Sequence, residues 1–536
     1  MAREVRCGAP SWGGAEVKTM GKILSKRATE DTEERKAKRR RDGVLVSYAY
    51  TFAEVAVNLI YVPLLLATIG KTEYGLYQTV GAIMSYIISI NSVLSAGVSR
   101  YYCMYKAEGD ERMMESTLAI AKRLYWGISA VAVAVVLLLI PLMRMAYASS
   151  YTEWQLDECS VMLVVLAVNM VVTFNNTINI AAINANERFV FLKGTQLITL
   201  VCQPVLIIAL GHIFPSAVMI TLVVLAMNVL CSTLQRVYAQ GFLGTKYTFH
   251  GWDKWLLKGL LGFSATIVLV TIADQIFWNS GKLLIGYFAG ADLVAVFGVG
   301  SQIYGAYMAA GMAISGVFFQ RVSELVHARH DMKAVSELFA RVGRVSFAAL
   351  FLILGGFLVL GRDFVVLWAG EDFGVAFWVA ILVMVPMTID LVQNLGLTIL
   401  QVLDKYFFRG VVYIGLSIAN IAVSFAVIPG WGVVGAAASS GLCMLIGNGF
   451  IMNWYYGAKV GVDIKMFWRE VLRCGIPLIL AAAAMVIVRE VLPVDLLNWP
   501  ELIGMGLVYV LLYFVVYWKI GSNEWERRAI GSLFSR

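Results

Sequence analysis

The chain is poor in the residues that build catalytic and metal centres. Only four histidines occur among 536 residues, and its seven cysteines (Cys7, Cys103, Cys159, Cys202, Cys231, Cys443 and Cys474) show no CxxC or Cys/His spacing. Such an arrangement indicates neither a disulfide framework nor a metal site. Charged residues make up 15% of the chain against 60% hydrophobic ones, which excludes a soluble domain with a single anchor. The loops expected to face outward are short and hold no histidine cluster, paired-acid loop or glycine-rich phosphate cradle, so a membrane enzyme such as a polymerase or ligase is disfavoured. No cleavable signal peptide is expected, because the first apolar segment begins near residue 43 and is too long for one.

What the chain has in quantity is apolar runs. Fourteen of them lie at roughly 43–69, 79–99, 119–143, 159–183, 194–212, 216–235, 259–281, 292–318, 344–361, 375–401, 411–428, 433–455, 471–491 and 501–519. Each approaches the ~20 residues that an α-helix needs to cross a ~30 Å hydrocarbon layer, where backbone groups must pair internally. Of the 43 Lys and Arg residues, 38 fall on one side of the path these runs define. Lys71, Arg144, Arg362 and Arg489 fall on the other side, and Lys282 lies inside a span. Cations near span ends resist translocation, so both termini are expected in the cytoplasm of a protein of the plasma (inner) membrane. The net charge of +8 is spread along loops, which fits contact with anionic membrane lipids and not with nucleic acid.

A repeat at an offset near 220 divides the chain. GKTEYGLY (Gly70 to Tyr77) follows span one and GYFAGADLVAVFG (Gly286 to Gly298) follows span seven, pairing Glu73 and Tyr77 with Asp292 and Phe297 within one residue. At the ends of spans four and ten, Ile183 to Gly194 parallels Leu400 to Gly410: acid, base, aromatic, apolar, aromatic, base, glycine. A unit of six spans keeps its orientation when repeated, giving two bundles about an axis along the membrane normal. The expected fold is an all-α polytopic membrane protein of 14 transmembrane helices, two six-helix bundles related by a parallel repeat plus two extra C-terminal helices that face lipid. Its parts are a disordered basic tail (1–42), in which Met20 is an alternative start, the N-terminal bundle (43–240), a cytoplasmic linker (241–258), the C-terminal bundle (259–457), two additional helices (458–520) and a cytoplasmic tail (521–536).

Ionisable groups at membrane depth cost about 2.5–3.5 kcal/mol on insertion scales, so Glu54, Asp274, Lys282 and Asp390 are functional candidates. Glu54 belongs to a stripe of Ser47, Thr51, Glu54, Asn58 and Tyr61 on one helical face, and Asp274 recurs at the matching position of span seven. The two carboxylates either face each other across a cavity or are each bonded to a neighbouring helix. Lys282 lies about 12 Å along the axis from Asp274, too far to pair within the helix; it attracts phosphate or snorkels to the interface. Span ten carries Asp390, Gln393, Asn394, Thr398 and Gln401, and span four carries Asn169, Thr173, Asn176, Asn179 and Asn184. Such amides suit sugar hydroxyls or interhelical hydrogen bonds. Arg100, Arg188 and Arg321, at cytoplasmic span ends, are orientation anchors or diphosphate ligands at an entrance.

The chain resembles the oligosaccharide flippase family, the polysaccharide transporters of the multidrug, oligosaccharidyl-lipid and polysaccharide exporter superfamily. The resemblance rests on LLLATIGKTEYGLY (Leu64 to Tyr77), Gly97 to Arg100 followed by Gly109-Asp110, KLLIGYFAGADLVAVFG (Lys282 to Gly298) and the endings of spans four and ten. One departure is Gly281 before Lys282, where family members often carry an acid. The resemblance implies two bundles in a V that open alternately to either side of the membrane. It implies a substrate of oligosaccharide linked by diphosphate to a polyprenyl lipid, as in O-antigen and lipopolysaccharide assembly, with polysaccharide polymerase and glycosyltransferases as partners. In this reading Lys282, Arg100 and Arg188 hold the diphosphate, Asn176, Asn179, Gln393 and Asn394 contact glycan, and Glu54, Asp274 and Asp390 couple transport to H+ or Na+. No cofactor is expected. A multidrug exporter and a lipid II flippase of the same superfamily are the alternatives.

Overall fold

The computed structural model describes residues 33–315, 322–328, 331–491, 497–524 and 526–527, and among these every long element is helical. The N-terminal half holds α1 (Glu33–Ile69), α2 (Lys71–Glu108), α3 (Glu111–Tyr147), α4 (Glu153–Ala185), α5 (Phe189–Gly211) and α6 (Ala217–Val237). The second half holds α7 (Lys254–Ala289), α8 (Ala291–Ser315), α9 (Met332–Ala369), α10 (Ala376–Val392), α11 (Leu395–Val402) and α12 (Tyr406–Met444). The last two are α13 (Ile464–Val491) and α14 (Trp499–Val516). Twelve segments among the described residues are long and apolar enough to cross a membrane. One of them, Tyr406–Val460, runs for 55 residues and contains predicted spans eleven and twelve, separated where Gly432 turns at φ 55°. Predicted span seven lies within α7, so all fourteen expected crossings have a helix. Helix α1 begins at Glu33, inside the segment expected to be a disordered tail.

The repeat is visible in backbone detail. Gly70 and Gly290 share φ 84°, ψ 175° and φ 80°, ψ 179° as they start α2 and α8. Among the described residues, the non-glycine positions with positive φ are Glu187 (55°) and Asp404 (53°), the matched acids that end spans four and ten. A left-handed residue costs a side chain about 1–2 kcal/mol, so its recurrence at equivalent acids marks one turn used twice. Asp110 and Asp331 each accept from the N–H three residues on, at 2.9 Å, capping α3 and α9. Phe191 stacks on Tyr238 at 3.7 Å and Phe408 on Tyr455 at 3.9 Å, beside π-turns Tyr238–Phe242 and Tyr456–Val460. The helix starts align Thr72, and not Glu73, with Asp292. The Glu73 carboxylate instead accepts from the Ala217 N–H at 2.7 Å, at the start of α6.

The two bundles meet where α2 lies against α7 and α8. A Cβ on Gly75 would stand 1.9 Å from the Ala291 carbonyl oxygen, a separation that only glycine permits. Beside it the Thr72 hydroxyl donates to Asp292 at 2.6 Å and the Tyr147 hydroxyl to the Leu283 carbonyl at 3.0 Å. The Ser150 hydroxyl donates to the Tyr287 carbonyl, and the Trp368 indole N–H bonds Leu59 of α1 at 2.6 Å. The bundles are thus joined at the end that the charge distribution predicts to face outward. Helices α13 and α14 pack on α9, where the Tyr509 and Tyr513 hydroxyls reach the Phe351 and Ala348 carbonyls. Leu480, Ile487, Leu507 and Leu511 of the same pair are exposed, as expected of a lipid-facing surface.

Replacing Gly75 should prise α2 from α8. Gly75→Ala is expected to raise, several-fold, the labelling of a Thr72→Cys reporter by a membrane-impermeant maleimide; equal labelling with and without the methyl group would mean that this contact does not hold the bundles together.

Candidate functional site

In the C-terminal bundle, predicted span ten is not one helix. It breaks after Val392, where Gln393 (φ −91°, ψ 10°) leaves helical geometry, and resumes at Leu395. The Gln393 amide donates to Asn453 at 2.7 Å, and the Trp468 indole donates to the same oxygen at 2.8 Å. The N-terminal bundle repeats the tie: the Asn176 amide donates to Gln235 at 2.7 Å. The Asn179 amide donates to Asn176 at 2.9 Å and its carbonyl accepts from Tyr247 at 2.6 Å. Asn176, Asn179 and Gln393 are buried, and all three are engaged in these ties. Asn394 lies half-buried at the break itself.

Two other candidates come together around a residue that the charge pattern concealed. Arg409 approaches Asp390 at 3.5 Å and donates to the Tyr413 hydroxyl at 3.0 Å, which in turn donates to Asp390 at 3.3 Å. The guanidinium lies 4.6 Å from the Tyr413 ring centroid. Asp274 lies on α7, which packs along α12. By position Arg409 reads as a cytoplasmic loop cation, but α12 begins at Tyr406, so one helical turn carries Arg409 inward to span ten. The one signal available was its repeat partner Lys193, the base before the matching glycine. Lys193 sits 4.4 Å above the ring of Tyr50, one turn before Glu54. Glu54 itself is half-buried and makes no hydrogen bond or ion pair among the described residues.

Lys282 is part-buried at the contact between bundles, and its ammonium donates to the Gln78 side-chain carbonyl at 2.9 Å. Among the described residues it makes no ion pair. Arg100 is exposed near the end of α2; Arg188 is half-buried where α5 starts and lines a small cavity with Phe191 and Tyr238. Arg321 lies outside the described residues. Sequence reading missed a cavity of about 350 Å³ inside the N-terminal bundle, lined by Asn58, Tyr61, Asn176, Gln196, Gln203 and Asn228 among others. The Gln196 carbonyl oxygen is buried there without a hydrogen-bond partner. Asn58 and Tyr61 belong to the polar stripe of span one, and Gln196, Thr199 and Gln203, spaced by 3 and 4, form a second such stripe on α5, which is the signal that could have found them. Among the described residues no three His, Cys, Asp or Glu side chains gather closely enough to hold a metal ion.

Removing Arg409 leaves Asp390 in a low-dielectric site, and breaking such a pair costs about 3–5 kcal/mol. Arg409→Ala is therefore expected to lower the Tm of the purified protein sharply, and adding Asp390→Asn to recover most of the loss. An unchanged Tm in Arg409→Ala would mean that the pair is solvated and has no structural role.

No protein-family model and no curated protein matches the chain. Solved structures do. Lipid II flippase MurJ in an inward closed conformation superposes with a TM-score of 0.64 at 15% identity, over 88% of this chain and 99% of that one. The MATE multidrug transporter DinF-BH in complex with R6G gives 0.55 at 14% identity, over 80% and 96%. An inward-facing multidrug resistance MATE family transporter of the MOP superfamily gives 0.55 at 13% identity, over 78% and 95%. The chain shares the fold of that lipid II flippase and those transporters.

Proposed function

We propose that the protein is an alternating-access flippase that moves a polyprenyl-diphosphate-linked oligosaccharide from the cytoplasmic to the outer leaflet for cell-surface polysaccharide biosynthesis. The observation that carries this reading is Lys282. Its ammonium lies where the two bundles touch, and its partner is the neutral amide of Gln78. A charge held at membrane depth against a neutral group is stabilised by an arriving anion, and a diphosphate supplies one with several acceptor oxygens. Arg100 and Arg188 stand at the cytoplasmic entrance in this reading. Glycan hydroxyls meet the amides of Asn58, Gln196 and Gln203, while the prenyl tail stays in lipid. Protonation or Na+ binding at Glu54, Asp274 or Asp390 resets the transporter.

A lipid II flippase is the second reading, supported by the extent of the likeness to MurJ, which covers 99% of that chain. A cationic drug is a poorer fit, because it would approach Lys282 with like charge.

The test is translocation of a fluorescent polyprenyl-diphosphate oligosaccharide in proteoliposomes under an imposed pH or Na+ gradient. Lys282→Ala is expected to slow transport roughly tenfold, the rate equivalent of one lost hydrogen bond to a charged group. Wild-type protein that moves no lipid but extrudes a cationic dye would transfer the assignment to the multidrug exporters.

A further inference from the structure

A second cavity, of about 450 Å³, opens on the flank of the N-terminal bundle between α3, α4 and α6. Its lining includes Lys122 and Trp126 of α3, Asn175 and Asn179 of α4, Arg236 of α6 and Tyr247 of the following loop. None of its lining residues belongs to α7 or α8, so it stands apart from Lys282 and the contact between bundles. We propose that this cavity holds the headgroup of an anionic phospholipid bearing free hydroxyls, of the phosphatidylglycerol class.

Three observations converge on that chemistry. The first is charge. Lys122 and Arg236 are both cations, no acid lines the cavity, and among the described residues neither makes an ion pair. The carboxylate of Glu115, two turns before Lys122 on α3, is taken up by His250 at 3.2 Å. The Lys122 ammonium rests 5.5 Å from the Tyr247 ring centroid, with its donors free for a phosphate. The second is an acceptor without a donor. The Asn175 side chain spends its N–H₂ on the Val171 carbonyl at 2.9 Å, while its oxygen is buried with no partner. A buried acceptor without a donor is unfavourable, and because Asn175 lines the cavity, a turn of its side chain would offer that oxygen to an O–H beside the phosphate. The third is position. Trp126 is 55% exposed at the rim, and Lys122 and Arg236 are among the cations that the charge distribution places on the cytoplasmic side. An indole and two cations at that level mark the headgroup layer of the inner leaflet.

A choline headgroup has no donor for Asn175. The ammonium of an ethanolamine headgroup would satisfy Asn175 but would lie against Lys122 and Arg236. Phosphoglycerol meets both demands, with its phosphate on the cations and a hydroxyl on Asn175.

Native mass spectrometry of delipidated full-length protein tests this with equimolar phosphatidylglycerol and phosphatidylcholine, and separately with phosphatidylmethanol and soluble glycerol 3-phosphate. The expected result is retention of phosphatidylglycerol over phosphatidylcholine by roughly tenfold or more, given the attraction of each cation near an anionic surface. That preference should disappear in Lys122→Ala/Arg236→Ala and survive in the charge-matched Lys465→Ala/Arg469→Ala. Asn175→Leu should remove the preference for phosphatidylglycerol over phosphatidylmethanol, which carries the charge without the hydroxyls, and this variant decides the matter if the double variant does not fold. Retention of phosphatidylglycerol by the double variant at the wild-type level would overturn the proposal. So would equal binding of phosphatidylcholine, or glycerol 3-phosphate binding as tightly as the lipid, which would make the ligand a free phosphate ester.

Discussion

The distance at which α2 can lie from α7 and α8 governs the rest of this structure. Gly75 lets the α2 backbone settle against Ala291, and that approach brings Thr72 to Asp292 and Gln78 to Lys282. Were the helices held apart by a single methyl group, those bonds would lengthen together. Each such hydrogen bond, having one charged partner, contributes about 1.5–3 kcal/mol net. A handful of them amounts to an energy that differential ligand binding can overcome, as an alternation between two states requires. The contact is therefore firm enough to define one state and weak enough to be exchanged for another.

The architecture was legible because lipid enforces simple rules. Backbone groups must pair within a helix, so fourteen apolar runs could be read directly as helices. The repeat was legible in its loops, where the acid-base-aromatic order at Glu187 and Asp404 corresponds to one left-handed turn built twice. The site was less legible, for reasons specific to each residue. Asn176 and Gln393 stand at matched positions because they tie helices together, and a single sequence does not separate an amide that binds a ligand from one that binds Gln235 or Asn453. The break at Gln393 has no counterpart at Asn176, which makes the matching tie from within the unbroken α4. Arg409 was hidden because charge counting assigns a cation by its position between runs, while a helix that starts early carries it inward. Arg344 and Glu526, buried together at 2.8 Å, are 182 residues apart, a pairing that no local pattern announces.

The two halves have diverged in what they enclose. The repeat places Thr173 opposite Asp390 and Lys193 opposite Arg409. In the C-terminal half the acid and the guanidinium pair, and Tyr413 closes the gap between them. In the N-terminal half the Thr173 hydroxyl accepts from Asn228 at 2.7 Å, Lys193 turns to Tyr50, and a polar cavity remains between the helices. One scaffold thus contains a compact charged cluster on one side and an uncharged, amide-lined hollow on the other.

Thr72 and Asp292 occupy the same place in the two repeats and touch each other. A position with that property lies on the symmetry axis, so in an assembly of two identical halves each residue there would meet its own copy. Two aspartates would bring like charges together in a confined space, and two threonines would lose the charge-assisted bond. Only where the two halves differ in sequence can a donor stand in one and an acceptor in the other. The hydrogen bond between them gives the repeated fold a closing contact that a dimer of two identical halves could not form.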